Sequence, residues 1–158
     1  MSTHFYEIYI RTSAEALWEA ITSPEWTVKY GHRAIHRYEL RPDGAFEAKA
    51  NDLMRTLGLP ETILDGKVIE AVPPTRLVQT FRFLFTEANR KEGFTRVTWE
   101  ILPLPIGYCQ LRLTHEIVEA PIMEQSVTSP FNGHGGGGWN WVLSDLKTLL
   151  ETGRALTG

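Results

Sequence analysis

The stretch that decides the fold is SPFNGHGGGGWNWVLSDLKTLLE, residues 129–151, in which a run of glycine leads into a helical pattern. Its apolar residues recur at helical spacing and are Trp139, Val142, Leu143, Leu146, Leu149 and Leu150. Polar residues occupy the opposite face, and Gly153 is a suitable stop. The pattern predicts a long amphipathic helix near the end of the chain.

The glycine run needs a separate interpretation, because Gly133, Gly135 and Gly138 have the G-x-G-x-x-G spacing of a dinucleotide-binding turn. That turn follows a parallel strand and precedes a helix and a second strand. Here residues 119–132 contain two prolines and no strand pattern, and the helix is the last predicted element. A P-loop is excluded because Trp139 follows Gly138 where lysine is required. We interpret the run as a flexible approach to the helix, whose free N–H groups could still hold an anion.

Upstream, the chain predicts one strand, two short helices and about six further strands. Residues 4–13 alternate and are rich in aromatic and β-branched types, and a helical stripe follows with Ser13 as its N-cap. Pro24 opens a second short helix, which we expect to run through Tyr30.

Three pairs of alternating segments flank the turns at residues 41–44, 73–75 and 103–107, which predicts three antiparallel hairpins. Residues 52–60 are compatible with a loop or a helical turn, and residues 89–93 with a solvated turn between strands. The order predicts an α+β fold, in which an antiparallel sheet carries helices on one face, within a single domain over residues 1–158.

Composition excludes several classes of protein. The 158 residues carry a formal net charge of −3 with well-mixed signs, which argues against a nucleic-acid partner. A single cysteine, Cys109, rules out an internal disulfide and argues against a thiolate metal site. Without a basic leader or a run of about 20 apolar residues, we expect no membrane span and a soluble, cytoplasmic protein.

Five segments in order carry a resemblance to a known family. They are ALWEAITSPE (16–25), GKVIEAVPPTRLVQTF (66–81), VTWEILPL (97–104), LRLTH (111–115) and GWNWVLSDLKTLLE (138–151). Together they resemble the START-like, or SRPBCC, superfamily, and more narrowly the bacterial AHSA-type family. That family is similar to the C-terminal domain of the activator of the ninety-kilodalton heat-shock-protein ATPase.

The resemblance implies a helix-grip fold. In it, a curved antiparallel sheet of about six to seven strands wraps a long C-terminal helix, and two short helices follow the first strand. In members of the family, an apolar cavity lies between the sheet and the helix. These proteins bind or transform lipids, polyketides, hormones and other hydrophobic molecules. The co-chaperone has a further N-terminal domain with no counterpart in this sequence, so ATPase activation is not carried over.

His115 is the one candidate catalytic residue. It shares a strand register with Cys109, Leu111 and Leu113, which predicts that its side chain points inward. A single inward histidine is more often a hydrogen-bonded structural residue, although an imidazole in an apolar cavity can also move a proton. Cys109 lies six strand residues from His115, about 20 Å, so the two cannot act as a dyad.

Other constellations favour structural roles. His32 and His36 have metal-ligand spacing, but position 33 is Arg rather than the general base, so we expect no metal site. Alternation points Glu100 outward and leaves Glu70 ambiguous, so a paired-carboxylate site is not supported and both are expected to be solvated.

The remaining candidates line the predicted cavity. They are Trp26, Tyr30, Tyr38, Met54, Phe81, Phe83, Phe85, Trp99, His115 and Trp139. The leading hypothesis is binding of a small hydrophobic or aromatic molecule there, without a cofactor. One alternative is a cyclase, lyase or hydrolase on the same fold, with His115, Tyr38 or Tyr30 transferring protons. Another is a protein-interaction module with a solid core and an exposed apolar patch. The oligomeric state is open, a homodimer included.

Overall fold

A computed structural model describes residues 1–133 and 135–158, and it contains seven strands and six helices within those ranges. The strands are β1 (Ser2–Ile10), β2 (Ile35–Tyr38), β3 (Ala45–Lys49), β4 (Thr62–Val72), β5 (Arg76–Phe83), β6 (Thr95–Leu104) and β7 (Tyr108–Ile117). The helices are α1 (Ala14–Thr22), α2 (Pro24–Thr27), α3 (Asp52–Thr56), α4 (Glu87–Glu92), α5 (Pro121–Thr128) and α6 (Gly138–Thr152).

The strands form one curved antiparallel sheet in the order β1-β7-β6-β5-β4-β3-β2. The three predicted hairpins are confirmed as the pairs β2–β3, β4–β5 and β6–β7. The long helix α6 lies near β1 and α5. This is the α+β, helix-grip arrangement that the sequence predicts.

The helix boundaries follow from capping residues. The Ser13 hydroxyl accepts a hydrogen bond from the Ala16 amide at 3.1 Å, which confirms it as the N-cap of α1. At the C-terminal end of α6, Gly153 takes the left-handed conformation, and its N–H donates to the Leu149 carbonyl at 2.8 Å.

Two local predictions were wrong. The second helix ends at Thr27, because the Val28 N–H bonds back to Trp26 and the backbone then turns toward β2. Residues 89–93 do not form a plain turn: they lie at the end of α4, which a capping box between Thr86 and Asn89 starts. A further helix, α5, was not predicted; it occupies part of residues 119–132, which show no strand pattern, and Pro121 lies at its first position.

The glycines before α6 allow close packing. At Gly137 a Cβ would lie 2.4 Å from the Trp141 Cβ, and at Gly138 it would lie 1.9 Å from the Val127 carbonyl oxygen. Both residues have positive φ angles, of 84° and 56°. Gly138 therefore lets the backbone press against α5, and Gly137 leaves room for the Trp141 side chain of α6. His134, inside the predicted G-x-G-x-x-G spacing, lies outside the described residues.

The core lies between the concave face of the sheet and helices α1, α5 and α6. Its fully buried members include Leu17, Leu77, Leu113 and Leu146. Across the described ranges, no helix combines the length and apolarity needed to cross a bilayer.

Candidate functional site

Eight side chains from the sheet, from the segment after β5 and from α6 are joined by ring contacts, and we call them the aromatic cluster. They are Tyr38, Phe46, Phe81, Phe83, Phe85, Trp99, His115 and Trp139. His36, which also contacts Phe46, is not counted in the cluster. Neighbouring ring centroids are 4.7–6.1 Å apart, the range in which aromatic pairs attract each other. Seven of the ten predicted site residues thus come together, with Phe46 linking Tyr38 to Phe81.

The aromatic cluster runs from the core to the surface. Trp99 and Trp139 are buried, Tyr38 and Phe83 are half-buried, and Phe85 has 37% of its surface exposed. Solvent therefore reaches one end of the cluster, which we call the accessible end and define as Tyr38, Phe83 and Phe85.

The sequence LVQTFRF in β5 explains this placement. Leu77, Gln79 and Phe81 alternate onto the concave face and are buried, and Phe83 continues the same register. On the opposite face, Arg82 binds both carboxylate oxygens of Asp65 at 2.8 and 2.9 Å. The pleat of β5 therefore points Leu77, Gln79 and Phe81 into the interior and Arg82 toward the opposite face.

His115 is held in a chain of hydrogen bonds that fixes its tautomer. The Trp139 indole N–H donates to His115 Nδ1 at 3.0 Å, so the proton of the neutral ring is on Nε2. That nitrogen donates to the Thr95 hydroxyl at 2.7 Å, and Thr95 donates to the Phe81 carbonyl at 2.9 Å. Both ring nitrogens thus have partners.

Burial keeps the His115 ring neutral. The side chain is fully buried, and this desolvation, with a smaller repulsion from His4, lowers its pKa from 6.5 to about 4. A second proton on the ring would have to bind Nδ1. The N–H formed there would face the indole N–H of Trp139, and two opposed donors disfavour the charged form. This geometry suits a structural histidine, and the acid–base role stays a prediction.

Gln79 is a polar residue inside the aromatic cluster. Its Oε1 accepts from the Tyr38 hydroxyl at 2.9 Å and from the Trp99 indole N–H at 3.1 Å. Burial raises the pKa of Tyr38, which keeps that hydroxyl protonated as a donor. The Nε2 of Gln79 is buried and has no acceptor among the described residues.

The other three predicted site residues are placed outside the aromatic cluster. The Tyr30 hydroxyl donates to the Ala20 carbonyl at 2.9 Å, in the core beneath α1. Trp26 is half-buried on α2 with the Lys29 ammonium 4.4 Å from its ring centroid, and Met54 packs half-buried from α3. No ring contact joins Trp26 or Tyr30 to the cluster within the described ranges.

The space that the resemblance assigns to a cavity is occupied by ring contacts. Trp139 of α6 packs edge-on against Trp99 at 5.6 Å and contacts Phe81 at 5.8 Å, so these large rings bridge helix and sheet. Two open depressions lie elsewhere on the surface. One of about 370 Å³ lies beside α3 near Leu53, and one of about 330 Å³ lies beside the β6–β7 turn near Leu104.

The histidine pair is separated. His32 stacks on Trp141 at 5.3 Å, whereas His36 in β2 contacts Phe46 at 5.8 Å, and burial lowers the His36 pKa to about 4. Within the parts of the chain that the structure describes, no three potential metal ligands come together.

The carboxylates are placed on the outer side of the sheet. Arg76 bridges Glu70 at 3.1 Å and Glu100 at 2.9 Å, in a partly solvated ion-pair group. Cys109 is buried and its thiol donates to the Thr12 carbonyl, and burial raises its pKa. Neither arrangement presents a nucleophile or an acid–base pair.

Two important residues were not singled out by sequence reasoning. Gln79 could have been found, since it is the one polar residue in the inward register of β5. Asp145 is fully buried on α6, and its carboxylate accepts from the Gly31 amide at 2.7 Å and the Leu156 amide at 2.6 Å. It connects α6 to the segment before β2 and to the end of the chain. The amphipathic pattern places Asp145 on the polar face of the helix and so did not indicate that it is buried.

One protein family matches most of the chain in sequence. The model of the family described as "Activator of Hsp90 ATPase homolog 1-like protein" matches residues 11–151. A search of curated proteins found no match.

Solved structures share the fold at low identity. Protein MLL2253 from Mesorhizobium loti has a TM-score of 0.68 and 20% identity, over 94% of this chain and 96% of that one. The Aha1 dimer from Colwellia psychrerythraea has a TM-score of 0.65 and 16% identity, over 98% and 100% of the two chains. PFC0360w, an HSP90 activator from Plasmodium falciparum, has a TM-score of 0.56 and 18% identity, over 98% and 91%.

Proposed function

The chain belongs to the family of Activator of Hsp90 ATPase homolog 1-like proteins, and within that fold we propose that it binds a small, flat, largely apolar molecule on its aromatic cluster. The observation that carries the proposal is the accessible end of the cluster. Tyr38 and Phe83 lie on the concave face, where the rest of the apolar register is buried, yet a minor part of each side chain remains exposed, although the Tyr38 hydroxyl is buried against Gln79.

The accessible end is suited to ring stacking. Tyr38 stacks on Phe46 with centroids 4.7 Å apart, and Phe83 lies 5.1 Å from Phe85. A planar ligand that covers these rings gains about 0.5–1.5 kcal/mol per ring pair beyond the burial of apolar area. The rings behind them are already packed, so the partner surface does not have to be assembled on binding.

The expected affinity is modest. A ligand of about 20 non-hydrogen atoms at ~0.3 kcal/mol per atom gains roughly 6 kcal/mol, a Kd of tens of micromolar. A probe of about 13 such atoms gains roughly 4 kcal/mol, a Kd of about 1 mM, so the titration below has to reach millimolar concentrations. Weak binding of this kind can be lost during purification, so a direct titration is more informative than an inventory of co-purified molecules.

The test is a titration with 2-acetylnaphthalene, followed by the quenching of tryptophan fluorescence, since Trp99 and Trp139 belong to the cluster. We expect saturable quenching in the wild type and at least about fivefold weaker binding in Phe83→Ala. Phe94→Ala is the matched control, because Phe94 is 48% exposed and lies under Arg82, outside the cluster. Absence of saturable binding, or equal losses in the two variants, would refute the proposal.

A second candidate is a protein-interaction role, with a second copy of the chain as the partner. It is favoured by an apolar face on the outer side of β1, β6 and β7. Its exposed members are Phe5 (57%), Tyr9 (49%), Leu102 (53%) and Tyr108 (37%). Tyr9 and Tyr108 lie 6.4 Å apart, whereas Gln110 lies between Tyr9 and Leu102. The Glu7–Arg112 ion pair lies between Tyr9 and Phe5, so the face alternates apolar and polar groups. The Colwellia protein, whose structure was solved as a dimer, supports the same possibility.

Light scattering after size exclusion separates the two candidates. If the outer face pairs two copies, the wild type has a mass of about twice 18.0 kDa, and Leu102→Ser together with Tyr108→Ser gives the monomer mass. A wild-type monomer at high micromolar concentration would rule this candidate out and leave the ligand proposal untouched.

A further inference from the structure

We propose that the free edge of β1 pairs with the same edge of a second copy of the chain, antiparallel and centred on Phe5. The two seven-stranded sheets then join into one through main-chain hydrogen bonds. This pairing does not depend on ligand binding by the aromatic cluster. It also differs from the second candidate above, because backbone groups at the strand edge make the contact rather than side chains on the outer face.

The odd-numbered residues of β1 direct their backbone groups away from the sheet. The Tyr9 carbonyl accepts from the Lys147 ammonium of α6 at 2.7 Å, so it does not face β7. In an antiparallel pair, one residue bonds to the neighbouring strand through both its N–H and its C=O, and the next residue directs both groups to the other side. Since β1 pairs with β7 residue for residue, Thr3, Phe5 and Glu7 face outward in the same way as Tyr9.

Three of these outward residues have free backbone groups. Thr3, Phe5 and Glu7 are exposed, and in the described parts of the chain no hydrogen bond reaches their outward amides and carbonyls. They present a row of alternating donors and acceptors about 14 Å long. The row ends at Tyr9, because Lys147 occupies the carbonyl of that residue.

The edge of β1 lacks the features that usually protect a free strand. Protected edges carry lysine or proline, contain a bulge or are very short. The nine residues of β1, STHFYEIYI, include neither lysine nor proline, and their register with β7 is unbroken. The opposite edge strand, β2, has four residues, and its His36 amide already donates to the Thr27 hydroxyl at 3.1 Å. Of the two edges, β1 is therefore the one that a further strand can extend.

One register of two identical strands uses all of the free groups. When Phe5 lies opposite Phe5 of the second copy, Thr3 of each strand lies opposite Glu7 of the other, and every free donor meets a free acceptor. Centring the pair one residue later would need the Tyr9 carbonyl, which Lys147 occupies. Centring it on Glu7 would set two carboxylates opposite each other, which is destabilising.

The side chain at the centre suits this register. Phe5 is 57% exposed, and the Arg112 guanidinium lies 6.0 Å from its ring centroid on the β7 side. Directly opposite residues of antiparallel strands have Cβ atoms about 4.5–5.5 Å apart, so the two Phe5 rings contact each other across the axis. An interface made of one strand pair is at the small end of the size range, so we expect a dimer that dissociates at micromolar concentration.

Disulfide cross-linking tests the register. In Phe5→Cys the two new thiols lie on opposite residues whose Cα atoms are about 5.5 Å apart, so mild oxidation should give a covalent dimer. Glu7→Cys is the matched control on the same face, because its two thiols are offset by about 14 Å along the strands and should not react with each other. The native Cys109 is 1% exposed and should stay unreacted in both variants.

Sedimentation over a concentration series tests the contact without a cross-link. The wild-type mass should rise toward twice 18.0 kDa at high micromolar concentration. Phe5→Pro should stay monomeric and folded, because it removes an N–H that the single chain does not use. Phe5→Val is the control: it loses the ring but keeps the N–H, so it should still dimerise, about fivefold more weakly at most. Circular dichroism checks that each variant is folded.

Amide hydrogen exchange reports on the unmodified protein. The Phe5 and Glu7 amides should exchange rapidly in dilute solution and at least about tenfold more slowly at high concentration. The Tyr6 and Ile8 amides, which face β7, should be protected at both concentrations.

Three outcomes would overturn the proposal. A wild-type monomer at every concentration would exclude the pairing and leave ligand binding by the aromatic cluster untouched. A dimer that survives Phe5→Pro and is lost when Leu102→Ser and Tyr108→Ser are combined would place the contact on the outer face instead. Cross-linking of Glu7→Cys but not of Phe5→Cys would show that the register is wrong.

Discussion

The buried imidazole of His115 should make the protein acid-sensitive in a defined pH window. Its pKa in the folded chain is about 4, against 6.5 in an unfolded one. Between these values the unfolded chain binds a proton that the folded chain does not. The stability contributed by the neutral ring is therefore complete above pH 6.5 and is lost as the pH falls toward 4.

The magnitude follows from the width of that window. The interval from 6.5 to about 4 spans about 2.5 pH units, and each unit corresponds to about 1.4 kcal/mol. One histidine thus accounts for roughly 3 kcal/mol, a large share of the 5–15 kcal/mol by which domains are stable. His36, whose pKa is also about 4, contributes a similar slope of its own.

The assay is urea unfolding at several pH values between 4.8 and 7.5, for the wild type and for His115→Gln. His115 and His36 together should give a slope of roughly 2–3 kcal/mol per pH unit near pH 5.5, and His115→Gln should lose about 1 kcal/mol per pH unit of it. Burial also lowers the pKa of His32, which adds to the slope equally in both proteins. The variant is also less stable at every pH because the bonds to Thr95 and Trp139 are altered. The slope, rather than the absolute free energy of unfolding, is therefore the quantity to compare.

Carboxylates do not change the difference in slope between the wild type and His115→Gln. The pKa values of Glu25, Glu124 and Glu151 are lowered, mainly by side-chain hydrogen bonds. The stability linked to them begins to fall below about pH 5.5, within the lower part of the measured range, but it falls equally in the wild type and in His115→Gln and cancels in the difference between their slopes. Equal slopes for the wild type and His115→Gln would show that folding does not lower the pKa of His115, which would refute this reasoning.

Three further predictions concern stability, each checked by urea unfolding at pH 7.5. Thr95→Val should lower the free energy of unfolding by about 2–3 kcal/mol, since it leaves the His115 N–H without an acceptor. A loss below about 0.5 kcal/mol would contradict the hydrogen bond between His115 and Thr95. Asp145→Ala should cost about 3–5 kcal/mol, because two amides lose a charged acceptor, and an unchanged midpoint would refute this role. Gly138→Ala should cost about 3 kcal/mol or more, because the added Cβ would clash with the Val127 carbonyl oxygen. Gly133→Ala should cost only about 1 kcal/mol, because a Cβ there meets no described atom within 4 Å. Equal losses would disprove close packing at Gly138.

Much of the fold could be predicted because each element has a local cause. The alternation in β5 and β7, the cap at Ser13 and the stop at Gly153 are all recorded in neighbouring residues. The helix α4 was missed because its capping box uses Asn89 at the position usually held by Glu or Gln, and its charges resemble a turn.

The site was harder to predict, since its geometry depends on contacts between distant residues. Alternation could place His115 and Phe81 on the inner face but could not show that Trp139 would fill the space above them. Nor could it show that Tyr30 would turn to the Ala20 carbonyl, away from the cluster. Partners separated by 24 residues or more, such as His115 and Trp139, leave no signature in the spacing of either.

The sheet order has a consequence for how the chain is made. The strand synthesised first, β1, is an edge strand whose sheet neighbour is β7, which ends at Ile117. At about 5–20 residues per second, the ribosome needs roughly 5–20 s to supply that neighbour after β1 has been made. During this time the alternating apolar residues of β1 have no sheet to join. A nascent chain stalled before Tyr108 would keep them so, even with five of the seven strands, β2 to β6, already available to pair with one another.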